Sequence, residues 1–357
     1  MRTVDLRSDT VTLPTPGMRA AMQEAAVGDD CFGEDPTVER LERLGAEKMG
    51  KEAGLFLPSG TMANLVAVLV HTRPGDGVIC DENAHIYKLT LGGTTRFAGI
   101  TILPQRTGPM GRLDPAQLES ALNLGPHFPS STLVIIENSN NLAGGTVLTR
   151  DDTRHIAEVA EKYKVPVHLD GARIFNSAVA QGVDARELAR DCESVMFCLS
   201  KGLCCPVGSI LAGSRNFIDK ARHVRKMLGG GMRQAGVIAA CGVFALERED
   251  MTAGLAEDNN KARRLAEGLD RIRTGIVDLD TVETNIVCFE FGSTDSVNSA
   301  DPAEIDCKAL VESLSERGIL TIHLYGNRGR MVTHHDVSED DIDYALGVIA
   351  SVVAEVA

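Results

Sequence analysis

Two charged residues follow neighbouring apolar segments. VPVHLD (165–170) ends in Asp170, and SVMFCLS (194–200) is followed by Lys201. Continuously apolar segments of this kind predict buried parallel strands, and GVDARELAR (182–190) between them is the candidate crossover helix. A right-handed β-α-β unit brings the ends of both strands to the same edge of a sheet. The sequence therefore predicts a carboxylate and an amine close together at that edge.

A phosphate site completes this pattern. A lysine at a strand end loses water, which favours the neutral amine that condenses with a carbonyl. Ser59, Gly60 and Thr61 precede an apolar helical segment, so the N–H groups of its first turn and two hydroxyls can bind a phosphate monoester. Singly, these residues have ordinary explanations: a surface lysine, a turn aspartate and a helix N-cap. Together they suit pyridoxal phosphate, whose ring nitrogen requires an acid beside it.

The elements that must position these residues alternate along the chain. Strands are predicted in short apolar segments, and helices in amphipathic segments between them. This alternation predicts an α/β fold with a mainly parallel sheet. The predicted strands are 53–58, 77–80, 100–103, 132–138, 165–170 and 194–200, and further helices are 61–72, 114–122 and 150–164.

The character of the sequence changes after about residue 240. A long charged helix (256–273) leads to weaker strands near 285–290 and 319–324, and a last helix covers 338–357. This pattern predicts a smaller α+β domain at the C-terminal end. We therefore expect a large cofactor-binding domain at 1–245, which includes an N-terminal segment 1–15, and a small domain at 246–357.

Composition excludes several classes of protein. The chain has 357 residues, with 36 Lys and Arg against 50 Asp and Glu, which gives a net charge of −14. Nucleic acids and anionic membranes require a basic face, so neither partner is expected. No apolar segment reaches the roughly 18 residues of a membrane span, and the N-terminus is polar, which predicts a cytoplasmic protein. The nine cysteines form no CxxC pair, so we expect reduced thiols and no metal site.

The sequence resembles one family along nearly its whole length. It is similar to the low-specificity L-threonine aldolases, which are aspartate-aminotransferase-like (fold type I) enzymes that use pyridoxal phosphate. The resemblance lies in a specific series of motifs in order: DLRSDTVTLPT, GDDCFGEDPTVERLE, LFLPSGTMAN, DENAHIY, HLDGARIFN, CLSKGLCCPVGS, KMLGGGMRQAG and RMVTHHDV.

The resemblance implies a role for each matching residue. Lys201 carries the cofactor, Asp170 pairs with its ring nitrogen, and His85 stacks on its ring and faces the substrate. These three are the implied catalytic residues. The implied cofactor contacts are Ser59, Gly60, Thr61, His85, Asp170, Arg173, Ser200, Lys201 and Arg233. Ser8, Arg173 and Arg330 would bind the substrate carboxylate, since guanidinium groups hold carboxylates in a fork.

Two positions depart from the family pattern. Where relatives read ENTHN, this chain has ENSNN, so that Asn140 replaces a histidine near the substrate's β-hydroxyl. Asn140 can hydrogen-bond that hydroxyl but cannot accept its proton near neutral pH. Either His85 or a water molecule must then act as the base. Phe32 stands where the family has tyrosine, which removes a hydroxyl.

The expected function is cleavage of L-threonine, L-allo-threonine or a related β-hydroxy-α-amino acid to glycine and an aldehyde. The alternatives are a β-eliminating lyase, an aminotransferase, an aldolase for another substrate such as phenylserine, and a non-catalytic cofactor-binding protein. The resemblance further implies a homotetramer with active sites at subunit interfaces. The preferred side chain and epimer, and a structural metal ion, stay open.

Overall fold

The computed structural model describes residues 2–291 and 305–356. Its strands are β1 (Val4–Asp5), β2 (Ala53–Leu57), β3 (Gly77–Asp81), β4 (Thr101–Gln105), β5 (Ser131–Glu137), β6 (Val167–Asp170), β7 (Ser194–Cys198), β8 (Ser209–Gly213), β9 (Ile286–Glu290), β10 (Ile319–Leu320), β11 (Ile322–Tyr325) and β12 (Arg328–Val332). Its helices are α1 (Pro16–Gln23), α2 (Pro36–Met49), α3 (Gly60–His71), α4 (His85–Lys88), α5 (Gly93–Ala98), α6 (Pro115–Leu122), α7 (Arg150–Lys162), α8 (Ile174–Gln181), α9 (Ala185–Ala189), α10 (Arg215–Met227), α11 (Gly236–Glu247), α12 (Glu249–Ala253), α13 (Leu255–Ile272), α14 (Cys307–Glu316) and α15 (Glu339–Val356).

The large sheet confirms the predicted α/β fold. Its strand order is β2-β8-β7-β6-β5-β3-β4. Strands β3 to β7 pair in parallel, while β8 runs antiparallel to both β7 and β2. The sequence reasoning did not include β8, which is short and follows the loop after Lys201. Because the other strands point the same way, their carboxyl ends share one edge.

The crossover between β6 and β7 differs from the prediction of one helix at 182–190. The chain forms α8 immediately after β6, and Gly182 ends that helix in the left-handed conformation, with φ at +64°. Glycine adopts this conformation without a Cβ penalty. Asp184 then caps the short helix α9 by accepting a hydrogen bond from the Arg186 N–H group. The prediction of one helix at 182–190 was wrong, because Gly182 ends one helix and Asp184 begins another.

The C-terminal elements build a second, smaller core. Strands β11, β12 and β9 form an antiparallel sheet, against which α13, α14 and α15 pack. The first residues of the N-terminal segment also contact this part, and the assignment of segment 1–15 to the large domain stays a prediction. Strand β1 pairs in parallel with β10, and the side chains of Val4 and Leu6 are buried in the second core. The boundary near residue 245 stays a prediction.

The helices were not expected to include a membrane span, and their length and apolar character can be compared with what a span requires. Within residues 2–291 and 305–356, none of them combines the length and the apolar character that a bilayer crossing requires.

The burial of Leu6 gives a test of the N-terminal segment. Leu6 is fully buried, and we expect Leu6→Ala to lower the free energy of unfolding by about 2–5 kcal/mol, because the truncation leaves a cavity. Leu124→Ala is the control, since 41% of Leu124 is exposed, and its cost should stay below about 1 kcal/mol. Urea denaturation measures both values. Equal losses would contradict the packing of this segment into the second core.

Candidate active site

A cavity of about 250 Å³ lies at the carboxyl edge of the large sheet. Glu137 and Asp170, the last residues of β5 and β6, are register partners there, and Lys201 follows β7. The structure thus brings together the lysine and the carboxylate that the sequence placed at one edge. The cavity is lined by Thr10, Ser59, Gly60, Thr61, Asn64, His85, Glu137, Ser139, Asn141, Asp170, Ala172, Arg173, Met196, Cys198, Ser200 and Lys201.

The N-terminus of α3 forms one end of this cavity. The Ser59 hydroxyl caps the helix by accepting a hydrogen bond from the Met62 N–H group at 3.2 Å. The helix begins at Gly60, and a Cβ atom there would lie only 2.8 Å from the Cys198 Sγ atom. The absence of a side chain lets the start of the helix pack closely against β7, and the first N–H groups of a helix have no partner within it. This end suits a phosphate group.

Asp170 is held firmly at the opposite side. Its carboxylate is 3% exposed and accepts a hydrogen bond from the Asn64 side chain at 2.7 Å and from the Ala172 N–H group at 3.1 Å. Among the described residues, no carboxylate lies within ion-pairing distance of the Lys201 amine. The cavity therefore offers a helix N-terminus, an available amine and a fixed acid. These groups fit pyridoxal phosphate.

His85 lies in the first turn of α4 and lines the same cavity. Its backbone N–H group donates to the Glu137 carboxylate at 2.8 Å, which ties α4 to the end of β5. Its ring nitrogen Nδ1 is buried without a hydrogen-bond partner among the described residues. Burial lowers the pKa of His85, although Asp170 opposes this, and the charges of Lys201 and Arg173 lower it further. A neutral imidazole is the form that can accept a proton.

Glu137 is a site residue that the sequence reasoning missed. It is buried, and its two carboxylate oxygens accept hydrogen bonds from the backbone N–H groups of His85 and Asn141. Burial raises the pKa of Glu137 to about 8, and the neighbouring charge of Asp170 adds to the shift. The signal was present in the sequence, because Glu137 ends a strand just as Asp170 does.

Arg173 forms a buried ion pair with Asp9. Its Nε and Nη2 atoms donate to the two Asp9 carboxylate oxygens, both at 2.7 Å. Burial alone would raise the pKa of Asp9, but the charge and hydrogen bonds of Arg173 lower it to about 2. Arg173 thus lines the cavity with part of its guanidinium group already occupied.

Arg330 lies behind the cavity wall and contacts it through Asn141. Its Nη1 atom donates to the Asn141 side-chain oxygen at 2.6 Å, and its Nη2 atom to the Arg7 carbonyl oxygen at 3.2 Å. The Nε atom is buried and has no hydrogen-bond partner among the described residues. Burial and the charge of Arg173 lower the pKa of Arg330. A buried guanidinium without an acidic partner is suited to bind an anion.

The predicted role of Asn140 is not supported by its position. Its side-chain nitrogen donates to Asp81 at 2.8 Å and its side-chain oxygen accepts from the Ala143 N–H group at 3.0 Å. Both ends of the amide are therefore occupied within the protein, and Asn140 does not line the cavity. Ser139 and Asn141, on either side of it, do. The alternation of side chains in this segment could not be fixed from the sequence, because it leaves the strand at Glu137.

Three other residues lie outside this cavity. The Ser8 hydroxyl accepts from the Thr10 N–H group at 3.2 Å, and it is Thr10 that reaches the cavity wall. The Arg233 side chain is 58% exposed and lies 3.6 Å from Asp29. Phe32 is 77% exposed, away from the site of its own chain. The predicted contacts of Ser8 and Arg233 therefore do not follow from one chain alone, whereas Ser200 lines the cavity as expected.

Comparison with known proteins identifies the family. Residues 5–291 match the beta-eliminating lyase family. The chain is 41% identical to low-specificity L-threonine aldolase 1 of Arabidopsis thaliana over 350 residues, which is 97% of this chain and 95% of that protein. It is 39% identical to the low specificity L-threonine aldolase of Escherichia coli K12, over 95% of this chain and 96% of that protein. The chain belongs to the threonine aldolases of this family.

Solved structures show the same fold. The Leishmania major threonine aldolase superimposes with a TM-score of 0.80 at 20% identity, over 97% of this chain and 98% of that chain. A structure of SPT with PLP superimposes with a TM-score of 0.76 at 17% identity, over 99% of this chain and 88% of that chain. The fold is therefore that of the fold type I enzymes. Because this chain belongs to the family, it is a lyase that depends on pyridoxal phosphate.

The ion pair of Asp9 with Arg173 gives a pH-dependent prediction for this aldolase-family fold. The pKa of Asp9 is about 2 in the fold, against about 3.9 in an unfolded chain. The contribution of ionised Asp9 to the free energy of unfolding is therefore complete above about pH 4 and is lost as the pH falls through 2. We expect Asp9→Asn to cost about 3–5 kcal/mol of unfolding free energy at pH 7, because Arg173 is left buried without an acid.

Urea denaturation between pH 7 and pH 2 measures this effect. The difference between wild type and Asp9→Asn should shrink by about 2 kcal/mol as the pH falls through the window from 4 to 2. A difference that stays constant over this range would show that Asp9 does not titrate as the ion pair requires.

Proposed function

We propose that this protein cleaves L-threonine, L-allo-threonine or a related β-hydroxy-α-amino acid to glycine and an aldehyde. The observation that carries the proposal is that Lys201, Asp170, His85 and the N-terminus of α3 line one cavity. The near full-length similarity to proteins named low-specificity L-threonine aldolase supports it. When bound, pyridoxal phosphate supplies a ring that accepts the electrons of the bond broken at the substrate's α-carbon.

The residues of the chain would hold this cofactor by its three polar parts. Lys201 would hold it at the aldehyde group. The N–H groups of Gly60 and Thr61, with the hydroxyls of Ser59, Thr61 and Ser200 nearby, would hold the phosphate. Asp170, fixed by Asn64, would keep the ring nitrogen protonated.

The substrate carboxylate is assigned to Arg330. Arg330 has no acidic partner among the described residues, whereas Arg173 already binds Asp9 in a fork. Arg173 lines the cavity as a member of its ion pair with Asp9, and Ser8 stays a candidate. Holding the carboxylate fixes the rotation of the amino acid about its α-carbon and thereby selects the bond that breaks.

His85 is the residue that we assign as the base. It is neutral near pH 7 because burial lowers its pKa, and it lines the cavity. A ring nitrogen of His85 accepts the proton of the β-hydroxyl as the bond between the α- and β-carbons breaks. Base catalysis of this kind contributes roughly 10²–10⁴ in rate. Asn140 is not available for this task, because Asp81 and Ala143 occupy its amide.

A β-eliminating lyase is the second candidate, which the matched family favours by its description. An aldolase specialised for phenylserine uses the same residues with another side-chain preference. A substrate panel distinguishes the candidates, because the aldolase releases glycine and an aldehyde, whereas the lyase releases ammonia and a keto acid.

We further propose that the protein is a cytoplasmic homotetramer with active sites at subunit interfaces. The exposed Arg233 and Phe32 side chains support this assembly, since both stand in motifs of the family and neither lines the cavity of its own chain. Arg233 would then reach the phosphate site of another subunit. The nine cysteines are all free thiols, as expected of a reducing compartment.

Replacement of the lysine tests the cofactor site. We expect Lys201→Ala to remove the visible absorption of the bound cofactor and to lower glycine formation by at least about 10³-fold, because the amine that binds the aldehyde is lost. Lys308→Ala, at an exposed position of α14, should leave both unchanged. A Lys201→Ala protein with the wild-type spectrum and rate would refute the assignment.

Replacement of Arg330 tests the carboxylate site. Arg330→Lys keeps a positive charge but loses the planar fork, so we expect the KM for the amino acid to rise by about 10- to 100-fold, with a smaller change in kcat. Steady-state kinetics with threonine as substrate measure both values. Arg264→Lys, on the exposed face of α13, is the control. An unchanged KM for Arg330→Lys would place the substrate carboxylate elsewhere.

A further inference from the structure

A chain of polar side chains runs from Asp170 through the interior to the opposite edge of the sheet. The Asn64 amide lies 2.7 Å from the Asp170 carboxylate and 3.0 Å from the Nε2 atom of His168. The Nδ1 atom of His168 lies 2.8 Å from the Ser194 hydroxyl, which in turn lies 2.8 Å from the Nε2 atom of His71. None of the roles assigned above uses His168, Ser194 or His71.

The direction of these hydrogen bonds follows from their chemistry. The Asp170 carboxylate accepts, so the Asn64 nitrogen donates to it and the Asn64 oxygen faces His168. His168 must then donate from Nε2. Burial lowers the pKa of His168 to about 4, so its ring is neutral and Nδ1 accepts from the Ser194 hydroxyl. That hydroxyl has one hydrogen and therefore accepts from His71. Every donor in the chain points toward Asp170.

The inner members of this chain are shielded from water. His168 and Ser194 are fully buried, and Asn64 is 2% exposed. Burial also lowers the pKa of His71 to about 3, and the charges of His168 and Lys220 add to the shift. Polar groups at such positions are costly unless they are hydrogen-bonded, and here each one is. Apolar residues such as Val66 and Ala67 fill the neighbouring positions of α3, so the polar chain is not needed to fill space.

Helix α3 links the two ends of the chain. Its N-terminus forms the phosphate end of the cavity, Asn64 lies one turn further along, and His71 is its last residue. The His71 ring stacks on Phe217 with a centroid distance of 4.7 Å and borders a surface hollow that Glu161, Lys164 and Asp191 also line. His168 and Ser194 are register partners in β6 and β7. The hydrogen-bond chain therefore joins one helix and two strands that meet at the cavity.

We propose that His168, backed by Ser194 and His71, is a positioning residue for the reaction. By donating to the Asn64 oxygen, His168 keeps the Asn64 nitrogen directed toward Asp170. The Asn64 amide in turn fixes the Asp170 carboxylate, which would face the ring nitrogen of the cofactor. The inference rests on the proposed function, since it adds a support for the acid of the same site. Without His168 the amide is free to turn, and its oxygen would then face the carboxylate and repel it.

Paired variants test this role. His168→Gln keeps an N–H donor near the position of Nε2, whereas His168→Leu removes it. Ser194→Ala cuts the chain between the histidines, and Ser177→Ala is its control, because the buried Ser177 hydroxyl has no hydrogen-bond partner among the described residues. The measurements are the affinity of each apoprotein for pyridoxal phosphate by absorbance titration, the melting temperature of the apoprotein, and kcat and KM for glycine release by the holoenzyme.

We expect His168→Leu to lower kcat by about 10- to 100-fold and to weaken cofactor binding. The KM for the amino acid should change by less than about threefold, because Arg330, which is assigned to the substrate carboxylate, is untouched. His168→Gln should recover most of both losses. Ser194→Ala should lower kcat and cofactor affinity by less than His168→Leu does, and Ser177→Ala should change neither.

Two results would overturn the proposal. If His168→Gln and His168→Leu lost equal cofactor affinity and kcat, His168 would have only a packing role. If Ser194→Ala behaved as Ser177→Ala does, the hydrogen-bond chain would have no effect on the site. Failure of the proposed reaction is distinguishable, because it would appear as absent glycine release in the wild type. The cofactor affinities of the variants would still test the positioning role.

Discussion

The parallel alignment of β5, β6 and β7 is the constraint on which this site depends. Because these strands run in one direction and in fixed register, Glu137 and Asp170 end side by side and Lys201 follows next to them. Helix α3 runs back along the same strands, so that its N-terminus reaches this edge. An amine, an acid and a helix N-terminus therefore meet at one edge of the sheet.

The charges gathered at this edge decide how each group can be used. Asp9 neutralises Arg173 with two hydrogen bonds, which makes that pair a fixed part of the wall. Arg330 has no acidic partner among the described residues, which is why we assign the anionic end of the substrate to it. Glu137, with a pKa raised to about 8 by burial and by Asp170, takes up a proton instead of adding a full negative charge. The cavity thus stays receptive to anions.

The sequence predicted the main elements and the positions of the central candidate residues, but not their finer surroundings. Strand ends and helix starts depend on local patterns, so Asp170, Lys201 and Ser59 could be placed from the sequence. The direction of the Asn140 side chain depends on how the chain leaves β5, and no local pattern specifies that. The pairing of β1 with β10 joins residues far apart in sequence, and the partners of Asp9 and His168 depend on the packing of several elements.

The N-terminal segment has a consequence for how the chain is made. Val4 pairs with Ile319, whereas Asp9 and Thr12 contact Arg173 and the Lys201 carbonyl oxygen. During synthesis on the ribosome, these first residues emerge long before the strand that they pair with. Val4 therefore has no strand partner until Ile319 has been translated. The contacts of Asp9 and Thr12 with Arg173 and Lys201 need a much shorter stretch of chain, so the two halves of this segment can find their partners at different stages of synthesis.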